Sequence, residues 1–310
     1  MCLQKKNRRV LVAGAGGFIG RHVVERFVSE QIDVTGLDLF APPLFVDNID
    51  WIIGSTSDEA LFASAVRGVE VVVYLASGSL PASANNDIAA EIDSHVRTTI
   101  KAAEICCNAD VQTFVFASSG GTVYGLDADV PLKEDCATFP LSAYGVSKLT
   151  IEHYLRIISR LHGMRTVALR ISNPFGEGQR AVRSHGFVAA AMSAAIKGTT
   201  LPIWGDGSIV RDFVYAADVG RAFSAACRYD GPSAVFNIGS GEGRSLSEIV
   251  KLVELVCKRA ILVEYYPYRK LDVRRNVLDV TQAKNILGWN AEVTLEEGMK
   301  KTAEWWMHPA

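Results

Sequence analysis

The sequence is short of several things, and each shortage excludes something. Over 310 residues the formal net charge is only -2. No bulk field therefore draws the chain to nucleic acid or to an anionic membrane, and an anionic ligand must be held by local arginines. The six cysteines (Cys2, Cys106, Cys107, Cys136, Cys227 and Cys257) show no Cys-x-x-Cys spacing and no metal-binding pattern with histidine. No metal is expected. Small buried hydrophobes in a reducing compartment account for these cysteines. The first nine residues are polar and basic, and the apolar run after them is broken by glycines and lacks a cleavage site. It reads as neither a signal peptide nor a membrane span, so the cytoplasm is the expected location. No internal repeat or low-complexity stretch is visible.

What is present is ordinary in amount and specific in order. Hydrophobic residues make up 49% and charged residues 21%, enough for one large domain or two lobes around a sizeable core. Short apolar runs alternate with helical patterns. Val10 to Ala13, Asp33 to Asp38, Trp51 to Ile53, Val71 to Ala76, Thr113 to Ala117 and Thr166 to Ile171 read as strands. Helices are expected from Ile19 to Ser29, from a capping box at Thr56 to Glu59 as far as Gly68, and from Ile88 to Asn108. Strand and helix in this alternation specify an α/β fold with a doubly wound parallel sheet.

Ligands bind beyond the carboxyl ends of such strands. Gly14, Gly17 and Gly20 follow the first strand, where glycines let a backbone approach a pyrophosphate and the next helix points its N-terminus at that anion. Asp38 ends the second strand, eighteen residues past Gly20. There a carboxylate can accept from adenosine ribose hydroxyls and would repel a 2′-phosphate. Leu39 and Phe40 follow, with no arginine to receive that phosphate, so NAD is favoured over NADP. Leu75-Ala76-Ser77, Ser118 to Thr122 and Ser172-Asn173 lie at further strand ends.

Tyr144 and Lys148 are four apart, and on a helix their side chains leave the same face. Tyrosine titrates near ~10 and is a poor base at neutral pH. An adjacent ammonium pulls that value down. Reaching ~7 needs roughly 4 kcal/mol of differential stabilisation, more than one charge pair supplies. A second cation is expected, and an oxidised nicotinamide ring would serve.

After Asn173 the alternation fades into a smaller α/β lobe. Capping boxes at Ser245 to Glu248 and Thr294 to Glu297 open helices, and Gly288 closes one. Arg211 and Arg269 could fork onto pyrophosphate oxygens, Asn173 could donate an amide bond to them, Asp272 could accept from a ribose hydroxyl, and Trp204 could stack on a base. The plainer readings are an Arg211–Asp212 surface pair, solvated charges around Arg269 and a core tryptophan.

Taken together, these residues resemble the extended short-chain dehydrogenase/reductases, in particular the NAD-dependent sugar-nucleotide epimerase/dehydratase group, and within it the UDP-glucose 4-epimerase type. The resemblance runs from about Arg9 to Trp305 and also takes in Val123-Tyr124-Gly125, Leu169 to Gly176, Arg211-Asp212-Phe213-Val214 and Leu287-Gly288-Trp289. It implies a Rossmann-type domain over residues 1–172 and a nucleotide-sugar lobe over residues 173–310. It implies NAD contacts from Gly14, Gly17, Phe18, Ile19, Gly20, Asp38, Leu75, Ala76, Ser77, Ser118, Tyr144, Lys148 and Ile171. Tyr144 would be the acid/base and Lys148 would hold the nicotinamide ribose. A Ser or Thr usually assists the substrate hydroxyl, but Gly120 stands at its place. Ser119 or Thr122 must substitute, and Ser119 is preferred because it precedes the glycine pair that could re-aim it. Ser119, Tyr144, Asn173, Trp204, Arg211, Arg269 and Asp272 are the substrate candidates. Three further departures are Ser55 for an aspartate, His95 for an asparagine and Ser77 for a small apolar residue. His95 reads more simply as a structural histidine.

The implied activity is C4 epimerisation of a UDP-linked hexose, its N-acetyl form or its uronic acid, through a 4-keto sugar. A 4-keto reductase and a silent dinucleotide sensor or scaffold are the alternatives. A 4,6-dehydratase or a decarboxylase is disfavoured, because Gly121 and Thr122 stand where acidic residues are needed. Family members commonly form homodimers through the helix near Ile88 to Asn108 and the tyrosine-bearing helix.

Overall fold

The computed structural model describes residues 8–40, 49–77, 84–125, 130–179, 186–269 and 272–308. Cys2 and residues 180–185 of the loop after Gly176 lie outside these. The chain opens with β1 (Arg9–Ala13), buried from Val10 onward, and turns through glycines into α1 (Phe18–Ser29). Next come β2 (Asp33–Asp38), β3 (Asp50–Ile53), α2 (Glu59–Ala65) and β4 (Val71–Tyr74). All four residues of β4 are buried, as a strand covered on both faces requires.

The start of α2 differs from its sequence reading. Asp58, not Thr56, is the N-cap and accepts from the Leu61 N–H at 3.0 Å. Its carboxylate is the acceptor placed next to the first turn. Thr56 Oγ1 instead accepts from the Tyr74 hydroxyl at 3.1 Å, and the helix stops at Ala65, short of Gly68.

The long helix also differs. It is α3 (Ile88–Glu91), a widened π segment (Ile92–Arg97) and α4 (Thr98–Asn108). The wider turn moves the helix phase, so the apolar period read along the sequence is broken. Ile88 and Ile92 face outward, 59% and 51% exposed, while Val96 is buried.

β5 (Thr113–Ser119) leads to α5 (Ala143–His162), whose first N–H groups include that of Ala143, bonded to Asn85 Oδ1 at 2.8 Å. The buried face of α5 carries Gly145, Lys148, Ile151, Glu152, Leu155 and Ile158, an i, i+3, i+4 stripe with two charges inside it. The chain continues through β6 (Arg165–Ile171), β7 (Asn173–Phe175), α6 (Phe187–Lys197), β8 (Leu201–Trp204), β9 (Val210–Tyr215), α7 (Ala216–Arg228) and β10 (Ala234–Ile238). β11 (Gly243–Ser245), α8 (Leu246–Cys257), β12 (Val263–Tyr266), β13 (Arg275–Asn276) and α9 (Leu295–Met307) complete it.

Seven strands form one sheet in the order β10-β6-β5-β4-β1-β2-β3. The β1–β2, β1–β4, β2–β3 and β4–β5 pairs are parallel. The order reverses at β1, which is the doubly wound Rossmann arrangement. β10, the seventh strand, is not among the strands legible in the sequence.

The chain forms two compact units. The first comprises the chain up to Ser119, Ala143–Arg170 and Val219–Phe236; the second comprises Gly120–Ser142, Ile171–Asp218 and Asn237 onward. The first has a core of Leu11, Leu37, Phe62, Tyr74, Phe114, Phe116 and Ile151, with Tyr74 and Phe114 stacked at 5.5 Å. In the second, Phe175, Met192, Phe213, Tyr215, Ile249, Val253 and Met299 pack together. There β9 pairs with β7, β11 and β13, and β8 with β12. Both expected capping boxes form, Ser245 with Glu248 and Thr294 with Glu297, and Gly288, at φ +65°, ends the turn before α9.

Candidate active site

In the first unit the β1–α1 turn is a glycine cradle. Gly14 has φ +87°, and a Cβ there would come within 2.8 Å of the Ala76 nitrogen. A Cβ on Gly20 would collide with the carbonyl oxygens of Gly14 and Ala15. Only glycine fits either place. Gly17 caps α1 without a side-chain hydrogen bond, which leaves first-turn N–H groups for an anion. Asp38 ends β2 half-buried, its Oδ2 accepting from the Gly16 N–H at 2.9 Å. Gly16 does not stand out in the sequence, although it completes the run of glycines. Phe18 and Ile19 open α1, while Leu75, Ala76 and Ser77 follow β4. This cradle, with an acceptor at the tip of the second strand, fits the adenosine diphosphate half of NAD.

Tyr144 and Lys148 lie one turn apart on α5, and the Lys148 Nζ sits 5.3 Å from the Tyr144 ring centre. It donates to the Ala117 carbonyl at 2.8 Å. Tyr144 is half-buried; Lys148 is buried. Burial, and then the charge of Glu91, push the Tyr144 phenol above its ordinary range. Burial pulls Lys148 down to about 7, while Glu91 and Glu152 pull the other way. The expectation that the ammonium lowers the phenol therefore fails in the unligated protein. Desolvation penalises the charged form of both groups and is the leading cause of each shift.

Further along the same face, Glu152 forms a buried ion pair with Arg170, Oε2 to Nη2 at 2.8 Å. Ser118 donates its hydroxyl proton to Glu152. Ser119, at the end of β5, is half-buried. Glu91 and His95 are buried beside Tyr144, with Oε1 and Nδ1 3.1 Å apart. Sequence reasoning misses Glu91: along the chain it is one acidic residue on an amphipathic helix, and only the fold turns it inward.

In the second unit, Ile171 accepts from the Gly120 N–H at 2.8 Å, and Asn276 Nδ2 donates to the Gly120 carbonyl at 3.0 Å. The Thr122 Oγ1 is enclosed and has no hydrogen-bond partner. Asn173 donates to the Asp212 carbonyl at 2.9 Å. Arg211 donates to the Val210 carbonyl at 2.9 Å, and its guanidinium is held down by burial and raised by Asp272. The Arg211–Asp212 surface pair does not occur. Asp212 is fully buried and accepts from the N–H groups of Ser240, Gly241 and Leu278 and the hydroxyls of Ser240 and Ser172. Arg269 lies over Trp204, 3.5 Å from the indole centre, and Tyr266 stacks on the same indole at 5.6 Å. In this conformation Arg269 and Trp204 satisfy one another. Asp272 is half-buried. Among the described residues no group of three His, Cys, Asp or Glu side chains could hold a metal ion, and no helix is long and apolar enough to cross a membrane.

A doubly wound sheet with a glycine cradle, an acidic second strand and a Tyr-Lys helix defines the class of dinucleotide-binding proteins of Rossmann type. The chain belongs to the NAD dependent epimerase/dehydratase family, whose model matches residues 10–239. It is 32% identical to a putative UDP-glucose 4-epimerase of Methanocaldococcus jannaschii, over 96% of this chain and 97% of the relative. It is 28% identical to dTDP-4-dehydro-6-deoxyglucose reductase of Escherichia coli, over 96% and 98%. Among solved structures, UDP-glucose 4-epimerase of Thermotoga maritima with UDP-glucose superposes with a TM-score of 0.91 at 33% identity, covering 96% of this chain and 98% of that one.

Proposed function

We propose that this protein is an NAD-dependent 4-epimerase of a UDP-linked hexose. The observation that carries the reading is Lys148 held 5.3 Å from the Tyr144 ring on one helix face, in a unit whose glycine cradle and Asp38 suit NAD. The first unit takes the cofactor, and the second supplies Asn173, Arg211, Arg269, Asp272 and Trp204 to the nucleotide sugar. NAD, when bound there, would supply the hydride acceptor for C4 and the donor that restores it.

The rest is done by the chain's own residues. Tyr144 takes the C4 hydroxyl proton as that hydride leaves, giving a 4-keto sugar. Lys148, tethered by the Ala117 carbonyl, orients the nicotinamide ribose and favours the phenolate. A nicotinamide ring held beside Tyr144 would supply the second cation that offsets the desolvation raising the phenol. General base action of this kind typically gives ~100- to 10,000-fold. Ser119 steadies the reacting oxygen. Arginine forks hold the diphosphate while the sugar turns over, and Tyr144 then returns its proton to the opposite alcohol.

The similarity to a 4-keto sugar-nucleotide reductase favours a second reading, in which the same groups reduce a 4-keto sugar once and NADH is consumed. Incubating the protein with UDP-glucose, UDP-N-acetylglucosamine and UDP-glucuronate, and following anomeric proton signals by NMR, separates the two. Interconversion without added cofactor supports the epimerase. Net NADH loss with a 4-keto sugar supports the reductase, and no turnover in either assay leaves a silent sensor.

The protein is a homodimer in this reading. Ile88 and Ile92 on the long helix and Val146, Tyr154, Ile157 and Leu161 on α5 are exposed apolar side chains, and the two helices pack against each other. The cytoplasm suits its free Cys106, Cys107, Cys136, Cys227 and Cys257.

A further inference from the structure

Glu91 and His95 have no part in the mechanism above, yet both are buried beside Tyr144. His95 is 1% exposed and Glu91 3%. The imidazole lies 6.1 Å from the Tyr144 ring, centre to centre, tilted by 56°. Its Nδ1 is 3.1 Å from Glu91 Oε1 and 3.4 Å from the Oγ of exposed Ser77. Its Nε2 is enclosed and has no partner. The backbone around it is fixed: His95 sits in the π segment, and Thr99 Oγ1 donates to its carbonyl at 2.7 Å. Such widened turns are frequent at functional sites.

Burial and the nearby Lys148 hold the imidazole down to about 4, so it is neutral. A neutral imidazole carries one proton, on one nitrogen. An ionised carboxylate only accepts, and Glu91 and Lys148 lie close enough for their charges to act on one another. Beside an ionised Glu91 the proton belongs on Nδ1, facing it. Nε2 is left as a bare acceptor inside the protein, and an unpaired buried acceptor is costly. A fold that spends an acidic residue on fixing the tautomer, and leaves the other nitrogen unpaired next to a phenol, has placed an acceptor for something that arrives.

We propose that Glu91 locks His95 in the Nδ1–H tautomer, and that His95 Nε2 accepts a hydrogen bond from an O–H or N–H donor of the ligand handled by Tyr144. The proposal rests on the reading of Tyr144 as facing NAD and a nucleotide sugar. Two donors share this chemistry: a ribose hydroxyl or carboxamide N–H of the nicotinamide nucleoside, and a hydroxyl of the hexose. His95 then selects for a ligand that carries the donor, and Glu91 is a positioning residue acting through it.

The test is long-range proton–nitrogen NMR on the full-length protein labelled at histidine nitrogens, with His95 assigned by its loss in His95→Asn. The nucleotide-free protein should show Nδ1 protonated and Nε2 bare. NAD alone shifting Nε2 towards the hydrogen-bonded range identifies the cofactor donor; a shift that needs UDP-glucose as well identifies the hexose. A protonated Nε2, or an Nε2 unmoved by both ligands while calorimetry shows both bound, overturns the proposal. Glu91→Gln should give a mixture of tautomers, and one unchanged tautomer counts against the lock. His95→Asn, which keeps a partner for Glu91 but has nothing at the Nε2 position, should weaken the identified ligand about tenfold or more. His95→Gln, which reaches that position, should recover part of the loss. Equal affinity in all three overturns the role of Nε2. If wild-type protein binds both ligands but turns over no sugar, the epimerase reading fails while the nitrogen shifts still decide this one.

Discussion

The Lys148 ammonium is anchored to the Ala117 carbonyl at 2.8 Å and reaches the Tyr144 ring at 5.3 Å. Two groups one helical turn apart are thus built into a place that resists charge. Burial pushes the phenol up and the amine down to about 7. An unligated protein in this state does not hold a ready base. In the proposed reaction the phenolate becomes accessible when a cation arrives beside it, which would tie proton abstraction to cofactor binding.

Replacing Tyr144 by phenylalanine removes one hydroxyl and leaves the ring packing. Sugar turnover should fall by roughly 100- to 10,000-fold, while NAD affinity stays nearly intact because the glycine cradle, Asp38 and Lys148 remain. Wild-type turnover in this variant, measured by the anomeric NMR assay, would remove Tyr144 from the chemistry.

Lys148 gives the fold a pH dependence with a definite sign. Its pKa is about 7 in the folded protein against 10.5 for a free lysine. Between those values the unfolded chain binds more proton, so stability rises with pH there. The slope from this one group is at most ~1.4 kcal/mol per pH unit. Below about pH 7 the lysine is charged in both states and its contribution is flat and least favourable. Tyr144, raised from its ordinary 10.0, acts in the opposite direction only above that value. Urea unfolding of nucleotide-free protein should therefore show stability growing from about pH 7 to about pH 9, and Lys148→Met should flatten the rise. An equal slope in the variant would place its origin in other groups.

Much of this architecture is legible in the amino-acid sequence. Six sheet strands can be read, most of them because buried parallel strands are nearly pure apolar runs, and both late capping boxes because their four-residue spacing is local. Tyr144, Lys148, Asp38 and the glycine turn stand out for the same reason: a short stretch of chain carries the whole signal. What escapes depends on long-range placement. Glu91 looks like a surface acid until the fold turns it inward. Glu152 looks like a helix charge until Arg170, eighteen residues later in sequence, pairs with it. β10 is short and follows an irregular stretch, so nothing local marks it as a sheet strand. Asp212 looks like a partner for its neighbour Arg211, but alternate residues of a strand face opposite ways, and Asp212 turns inward to a loop's N–H groups.

The exposed face of the long helix and α5 should be where two copies meet. Ile157→Glu with Leu161→Glu places two charges on exposed positions of α5 and removes no core contact. Light scattering should then report a monomer where wild type is a dimer, with an unchanged far-ultraviolet spectrum. Wild-type protein that is already monomeric at micromolar concentration, or a variant that stays dimeric, moves the interface elsewhere or removes it.

The proposed reaction has two candidates for the hydroxyl that assists Tyr144, and their surroundings differ. Ser119 ends β5, half-buried, in the same unit as Tyr144. The Thr122 Oγ1 is enclosed and unpaired, on the far side of Gly120 and Gly121, and Gly120 is already tied at both its N–H and its carbonyl. A carbonyl and an N–H that are both engaged hold the loop still, which favours the residue directly attached to the rigid strand. Ser119→Ala should therefore lower turnover by about ten- to a hundredfold, the range of a lost hydrogen bond to a charged or reacting group. Thr122→Val, which removes an unpaired hydroxyl at constant shape, should be neutral or slightly stabilising. The reverse pattern would assign the assisting hydroxyl to Thr122, and full activity in both would leave Tyr144 and Lys148 to act without one.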